Sequence, residues 1–264
     1  MQKKEMEAAM NTIITIGRQY GSAGREIGSL VAKECNIPYY DKELLTRAAK
    51  ESGFCEEMLE LHDERPTSSF LYNLVMDTYS FGYNASSFGE MPISHKIFLA
   101  QFDTIKKIAS EGPCVIVGRC ADYALADYQN VLNVFIYGDE ESKVKRIMSH
   151  NEGITAKEAK DMMIKKDKQR QSYYNYYSSK KWGRADSYDL CINSSRLGIE
   201  GTVNLIMQYI DDLLLNVYIS FSRGETYEIK GPQFSYIKRL FKGRDHVFDL
   251  ISTRVKKEEV CKAM

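Results

Sequence analysis

The sequence predicts an α/β protein, and three features carry this prediction. The segment 12–29 reads as a short buried strand, a glycine-rich loop and a helix. Two further apolar strands, 114–117 and 131–137, each lead into a glycine and are separated from the first strand by helical segments. Strands that alternate with helices are typical of a mainly parallel sheet with helices on its faces.

The length and composition predict a globular protein with a sizeable core. The chain has 264 residues, which suits one large domain or one domain with an appendage. Hydrophobic residues make up 44% and charged residues 27% of the chain. The formal net charge is zero, which argues against broad adhesion to nucleic acid or to membranes.

Cysteine and histidine spacing and the N-terminal sequence bear on metal binding and cellular location. The six Cys form no CxxC pair and the four His have no metal-ligand spacing, so no metal site is predicted. Several Cys lie in apolar stretches and are expected to be reduced, buried thiols. The polar tail 1–11 lacks the apolar core of a signal peptide, and no apolar run has the length of a membrane span. The expected location is the cytoplasm.

The glycine loop is the first candidate site. A strand, a glycine loop and a helix together turn backbone N–H groups and a helix N-terminus toward a phosphate. Gly21–Gly24 supplies the glycines of such a loop, but Arg25 stands where GxxxxGK[ST] has Lys, and Glu26-Ile27 stands where Ser or Thr would follow. Arg binds phosphate in a bidentate manner, but it cannot supply the compact ammonium of Lys, and nothing obvious replaces the missing hydroxyl. Phosphate binding is therefore better supported than fast phosphoryl transfer. The alternative is an ordinary tight turn.

A second candidate group follows the loop. The segment 25–36 reads as a helix and 38–40 as a short extended piece. Asp41 is predicted to cap the helix that ends at Gly53, with Arg47 inside it. Residues 55–64 look helical, and a further helix is predicted over 67–76. The aperiodic stretch 79–92 is either a functional loop or an ordinary surface excursion.

A Gly-Arg pair marks the next strand. The helix 93–110 presents an apolar face, and the strand 114–117 follows it. Gly118-Arg119 then places a guanidinium at the carboxyl end of that strand, which is the edge where ligands bind in open α/β sheets. The alternative for Arg119 is a surface salt bridge.

The segment 143–184 is strongly basic, with twelve Lys or Arg against four Asp or Glu. A helix begins at a capping box formed by Thr155 and Glu158. Lys166 and Arg170 share a face of this helix, and Asp167 lies between them. The segment is a solvated surface, a nucleic-acid patch with stacking Tyr residues, or a lid that folds over phosphates.

The remaining chain predicts one more strand, one helix and an appendage. Asp186 precedes the strand 189–193, and an amphipathic helix covers 198–215. From 216 the sequence alternates like a hairpin around Arg223-Gly224. We expect 216–264 to be a docking or dimerisation appendage through which a homo-oligomer could form.

The order of these segments resembles the cytidylate kinase-like family over about residues 12–215. The resemblance implies a three-layer P-loop NTPase fold, with a five-stranded parallel sheet flanked by helices and a helical lid at about 155–185. It also implies transfer of the γ-phosphate of ATP, with Mg2+, to a nucleoside monophosphate. The chain departs from cytidylate kinases at Arg25, at Glu26-Ile27 and at Cys120, which interrupts the family's Gly-Arg-Asp sequence.

The resemblance also assigns roles to individual residues. The nucleotide-binding loop is Gly21, Ser22, Ala23, Gly24 and Arg25. The catalytic assignments are Arg25, Lys166 and Arg170. The acceptor side is assigned to Asp41, Arg47, Arg119, Asp167 and Asp186, and Asn193 matches the closing strand motif. No protein metal ligand is assigned.

Three functions follow from this reading. The first is a nucleoside monophosphate kinase, for which Arg25→Ala and Arg119→Ala are expected to abolish turnover and leave the fold intact. The second is a nucleotide-binding regulatory protein that has lost phosphoryl transfer, which the missing loop Lys and hydroxyl favour. The third is a nucleic-acid binder that uses the basic, Tyr-rich lid, against which the zero net charge argues.

Overall fold

A computed structural model describes residues 12–64 and 92–221, with side chains described as far as residue 210. The predicted helix over 67–76, nearly all of the aperiodic stretch 79–92, the N-terminal tail 1–11 and most of the appendage lie outside the described residues. No helix of the described chain combines the length and hydropathy needed to cross a bilayer.

The described strands form one parallel sheet. Its strands are β1 Ile13–Arg18, β2 Tyr39–Tyr40, β3 Val115–Val117, β4 Val131–Tyr137 and β5 Leu190–Asn193. Their order across the sheet is β2-β3-β1-β4-β5, so β1 is central, and every pairing is parallel. The predicted five-stranded parallel sheet is confirmed.

Helices connect these strands, as a parallel sheet requires. The described helices are α1 Gly24–Cys35, α2 Lys42–Ser52, α3 Glu56–His62, α4 Ile93–Glu111, α5 Ala121–Ala124, α6 Glu140–Ser149, α7 Ala156–Ser178 and α8 Ser194–Phe221. A 3-10 turn, Ala185–Ser187, precedes β5. The capping box predicted at Thr155 and Glu158 is present at the start of α7.

Two apolar clusters cover the two faces of the sheet and give the fold its three layers. Successive residues of a strand point to opposite faces. Ile14 and Ile16 pack with residues of α1 and α8, including Val31 and Ile206. Ile13 instead joins α4 and the C-terminal half of α7 on the other face.

The tyrosines of the basic segment belong to this second cluster. Tyr173, Tyr174 and Tyr177 are each at most 5% exposed, and Tyr177 stacks on Phe98. These rings are core residues, so they offer no surface for stacking nucleic-acid bases. The C-terminal half of the predicted lid is therefore anchored in the core.

The first strand is longer than predicted. The sequence places its end at Gly17, whereas β1 continues to Arg18, which pairs with Ile136 of β4. A Cβ on Gly17 would lie 2.8 Å from the ring of Phe135, so this glycine permits close packing inside the sheet. As a result, Arg18 sits at the carboxyl edge of the central strand.

The last described helix also departs from prediction. Helix α8 begins at Ser194 and has non-helical dihedral angles at Gly198, where the sequence placed its start. It continues to Phe221, past the predicted end at residue 215. Residues 217–221 are therefore helical and do not form the first strand of the predicted hairpin.

Candidate phosphate-binding site

The glycine loop connects β1 to α1 at the carboxyl edge of the sheet. Gly21 has φ +81°, and a Cβ there would lie 2.8 Å from the carbonyl oxygen of Lys143, so the loop needs a glycine at this position. Ala23 is left-handed, with φ 63°, and no side chain caps α1. The first N–H groups of a helix have no carbonyl partner within it. They lie beside a cleft of about 370 Å³ lined by Gly21, Gly24, Arg25 and other loop residues.

Hydrogen bonds to neighbouring elements hold the glycine loop in place. The hydroxyl of Ser22 donates to the carbonyl oxygens of Gln19 (2.9 Å) and Ile136 (3.1 Å), so this predicted nucleotide-binding residue points under the loop. The backbone N–H of Tyr20 donates to Asp167 of α7 at 2.6 Å. The ammonium of Lys143 donates to the Gln19 side chain at 2.9 Å. The loop conformation is therefore tied to β4, α6 and α7.

Arg25 and Asp41 are brought together at the mouth of the site. The Arg25 side chain is 52% exposed, and its Nε lies 2.7 Å from Asp41 Oδ2. Asp41 occupies the N-cap position of α2 as predicted, but its side chain makes no capping hydrogen bond to that helix. The carboxylate instead pairs with Arg25 and, at 3.2 Å, with Arg119.

Arg119 is enclosed by the protein. Gly118, Arg119 and Cys120 all have φ between 55° and 77°, a left-handed run at the end of β3. The Arg119 side chain is fully buried and contacts Asp63 in a bidentate manner, at 2.9 and 2.7 Å. Its Nη1 also donates to Asp41 and to the carbonyl oxygen of Val117. Arg119 therefore does not form a surface salt bridge, which was the alternative interpretation from the sequence. Its guanidinium donates to protein groups instead.

The helix α7 closes a second cleft. Arg170 Nε donates to Glu64 at 3.1 Å, and its Nη1 donates to the carbonyl oxygen of Arg18 at 3.3 Å. Arg170 and the exposed Lys166 line a cleft of about 310 Å³ together with Arg18, Arg25 and Glu64. Lys166 and Arg170 thus share a face of α7 as predicted and lie beside the glycine loop.

Burial affects the carboxyl group that links α7 to the loop. Burial raises the pKa of Asp167, while the Tyr20 N–H and the charge of Lys143, 3.6 Å away, oppose this shift. Its partners are Tyr20 and Lys143. Within the described chain, no hydrogen bond joins Asp167 to the other residues assigned to the phosphate acceptor. In the structure Asp167 therefore holds the glycine loop, and its assigned role in binding the phosphate acceptor stays a prediction.

Three residues of the site were missed by sequence reasoning. Arg18 is 4% exposed and makes a bidentate contact with Glu64, and Asp63 holds Arg119. The only sequence signal for Arg18 was a basic residue directly after a strand glycine. Asp63 and Glu64 follow the short helix α3 and carried no motif.

Two predicted residues lie outside this group. Arg47 pairs with Glu51 and with Glu111, the last residue of α4. Because α4 ends shortly before β3 begins, this pair lies toward the amino edge of the sheet, away from the loop. Asp186 pairs with Arg184 on the surface.

The described residues do not form a magnesium site of their own. They contain no group of three or more His, Cys, Asp or Glu placed to hold a metal ion. Asp41 and Asp63 are engaged by arginines, and the Ser22 hydroxyl donates to carbonyl oxygens. The groups that line the site therefore do not fit a magnesium ion held by the protein alone.

The fold and the site together define an α/β phosphate-loop protein: a glycine loop follows the central strand, and arginines line the carboxyl edge of the sheet. The model of the Cytidylate kinase-like family matches residues 13–196, and the chain belongs to this family. The predicted membership and the three-layer P-loop fold are confirmed.

Solved structures are also similar to this chain. A crystal structure of an uncharacterized protein from Eubacterium ventriosum is 33% identical, with a TM-score of 0.57, and the match covers 76% of this chain and 98% of that one. Two shikimate kinases also match: that of Bacteroides thetaiotaomicron (13% identity, 76% and 98% covered, TM-score 0.44) and that of Aquifex aeolicus (16%, 77% and 99%, TM-score 0.39). No curated protein matches the chain.

Proposed function

We propose that the protein is an ATP-dependent phosphotransferase that transfers the γ-phosphate of ATP to a phosphate-bearing acceptor, a nucleoside monophosphate. One observation carries the proposal: the loop cleft and the second cleft share a wall formed by Arg18, Arg25 and Arg170. A polyphosphate on the loop and a phosphate in the second cleft therefore meet at guanidinium groups. Phosphoryl transfer depends mainly on such positioning and charge neutralisation.

The residues of the two clefts have different proposed roles in binding the two substrates and in the transfer. The loop N–H groups and the N-terminus of α1 bind the phosphates of ATP. Arg25, at the mouth of both clefts, neutralises the outer phosphates, since its half-exposed side chain is free to turn from Asp41 toward a ligand. Lys166 and Arg170 act from α7 and help to exclude water from the transfer. Arg119 orders the acceptor side through Asp41 and Asp63.

Magnesium enters this proposal as part of the substrate. ATP is bound as its magnesium complex, and the ion is held through the phosphates, because the protein side chains of the site do not form a metal cage. Mg2+ dehydrates reluctantly and usually takes only one or two carboxylates beside substrate phosphates.

The proposed location is the cytoplasm, and a homo-oligomer formed through 216–264 stays a prediction.

A second candidate function is a nucleotide-binding regulatory protein without transfer. The loop lacks the Lys and the hydroxyl of GxxxxGK[ST], and its Ser22 hydroxyl is occupied by backbone carbonyls. Three arginines that would act on phosphates already have carboxylate partners: Arg18 and Arg170 pair with Glu64, and Arg25 pairs with Asp41. Such a site could bind a nucleotide and release it unchanged.

Calorimetric titration with ATP, with and without Mg2+, followed by a coupled ADP-release screen over nucleoside monophosphates, tests both candidates. ATP binding with ADP release that depends on one acceptor is the result expected of the kinase. Arg25→Ala should abolish that release, and Lys145→Ala, which alters an exposed pair with Glu141 on α6, should not change it. ATP binding without release for any acceptor would favour the regulatory protein, and no binding would contradict both.

A further inference from the structure

The carboxylate of Glu64 lies where several donors converge. Arg18 Nη1 is 2.5 Å from Oε1 and Arg18 Nη2 is 3.1 Å from Oε2. Arg170 Nε reaches Oε2 at 3.1 Å, and the backbone N–H of Arg119 reaches Oε1 at 3.1 Å. Two guanidinium groups and a backbone N–H around one small anion form the arrangement that binds a phosphate.

The positive charge of this cluster exceeds the negative charge that Glu64 supplies. Burial raises the pKa of Glu64, but the charges of Arg18 and Arg170 outweigh burial and hold the pKa well below its usual range. Burial also lowers the pKa of Arg170, whose neighbour Arg18 is a like charge. Within the described chain, the buried Arg18 Nε has no hydrogen-bond partner. One carboxylate thus serves two guanidinium groups and leaves a donor unused.

Arg18 and Arg170 also stand at the junction of the two clefts. Both side chains line the loop cleft of about 370 Å³ and the second cleft of about 310 Å³. Two glycines make room for Arg18: a Cβ on Gly24 would lie 2.5 Å from Arg18 Cβ, and a Cβ on Gly118 would overlap its guanidinium. The glycine loop and the Gly-Arg pair therefore both enclose the same side chain.

We propose that Arg18 and Arg170 form a phosphate subsite between the two clefts, and that Glu64 is an internal anion which a phosphate group of the ligand displaces. The inference rests on the proposed function in so far as the displacing group is a phosphate of the nucleotide or of its acceptor. It adds Arg18 as a phosphate-binding residue in a loop that lacks the usual Lys. It also predicts that Glu64 competes with the ligand.

Calorimetric titration of the full chain with inorganic tripolyphosphate tests the subsite without requiring turnover. Removal of the internal anion by Glu64→Gln should tighten binding about tenfold, since hydrogen bonds to charged groups become available to the ligand. Arg18→Gln should weaken binding about tenfold for the same reason. In the double variant, the gain from Glu64→Gln should disappear, because the gain depends on Arg18.

A surface pair provides the matched control. Lys145→Gln and Glu141→Gln make the same changes in charge on an exposed pair of α6 and should leave the affinity within about twofold of the wild type. Thermal unfolding followed by circular dichroism shows which variants are folded. If Glu64→Gln does not fold, Glu64→Asp keeps the charge but shortens its reach, and about threefold tighter binding is expected.

The outcomes separate this inference from the proposed function. A folded Glu64 variant with unchanged or weaker tripolyphosphate binding would overturn the subsite, even if ATP turnover is found. Coupling between positions 18 and 64 in a protein that does not use ATP would support the subsite and overturn the kinase. Binding by neither the wild type nor the Glu64 variants would overturn the subsite, whereas the kinase would still be decided by ATP-dependent ADP release.

Discussion

Gly118 and Arg18 are so close that the guanidinium of Arg18 occupies the space where a side chain at position 118 would begin. A Cβ on Gly118 would overlap both Arg18 Nη1 and Glu64 Oε1. The glycine of the Gly-Arg pair therefore serves Arg18, on the neighbouring strand β1, as well as the backbone turn that carries Arg119. The φ of Gly118, +77°, adds a second reason for glycine at this position.

Gly118→Ala is accordingly expected to lower the free energy of unfolding by about 3 kcal/mol. About 1–2 kcal/mol comes from the left-handed backbone, and overpacking against Arg18 adds about 1–3 kcal/mol. Urea unfolding measures the change. Gly153→Ala is the matched control, because Gly153 has φ +81° and nothing within 4 Å of an added Cβ. Equal losses in the two variants would contradict the close contact with Arg18.

The sequence was sufficient to predict the layers of this fold. The periodic apolar face of helix 93–110 and the short apolar strands are local signals, and each of them appears in the structure. The capping box at Thr155 was equally local. Local signals were not sufficient at Gly17, which was predicted to end the first strand. This glycine instead permits packing against Phe135, on a strand more than a hundred residues away in the sequence. A strand end and a close packing contact look the same in one sequence.

The candidate site was predictable only in part. The glycine loop and the Gly-Arg pair are motifs that mark chemistry on their own, so Arg25 and Arg119 could be found. Arg18, Asp63 and Glu64 acquire a role only when α3 meets the carboxyl edge of the sheet. Charge partners at this distance in the sequence leave no periodic signal.

Arg119→Ala and Arg25→Ala are expected to differ in stability. Arg119→Ala removes the partner of the buried Asp41 and the partly buried Asp63, and should cost about 3–5 kcal/mol. This differs from the expectation from the sequence that the fold of this variant stays intact. Arg25 is half exposed, and Asp41 keeps Arg119 as a partner, so Arg25→Ala should cost less than about 1 kcal/mol. Urea unfolding of both variants provides the measurement, and a loss of similar size in both would show that the buried network is not built around Arg119.

Asp167→Asn is expected to loosen the glycine loop. The charged acceptor of the Tyr20 N–H becomes a neutral amide, and the partner of Lys143 loses its charge. Weakening one charge-assisted hydrogen bond by about 1.4 kcal/mol should speed exchange of the Tyr20 amide about tenfold. Hydrogen–deuterium exchange of residues 19–24 measures this effect. Asp161→Asn, at an exposed position of the same helix, should leave the exchange unchanged, and an equal response would show that the effect is a general loss of charge on α7.

The buried ring of His95 predicts how stability depends on pH. His95 lies on α4 at 1% exposure, 3.0 Å from the hydroxyl of Tyr176, and burial lowers its pKa. Below its ordinary pKa of about 6.5, the unfolded chain binds a proton that the folded chain takes up less readily. Stability should therefore fall as the pH decreases from about 7.5 to about 5.5.

Urea unfolding at several pH values across that window measures this dependence. In His95→Gln the titrating ring is gone, so its part of the slope should disappear even if the variant is less stable at every pH. His150→Gln is the control, since His150 is exposed at the C-terminal end of α6, and its slope should match the wild type. A slope that survives in His95→Gln would place the proton uptake on another group and show that the charged form of His95 is tolerated inside the α4–α7 core.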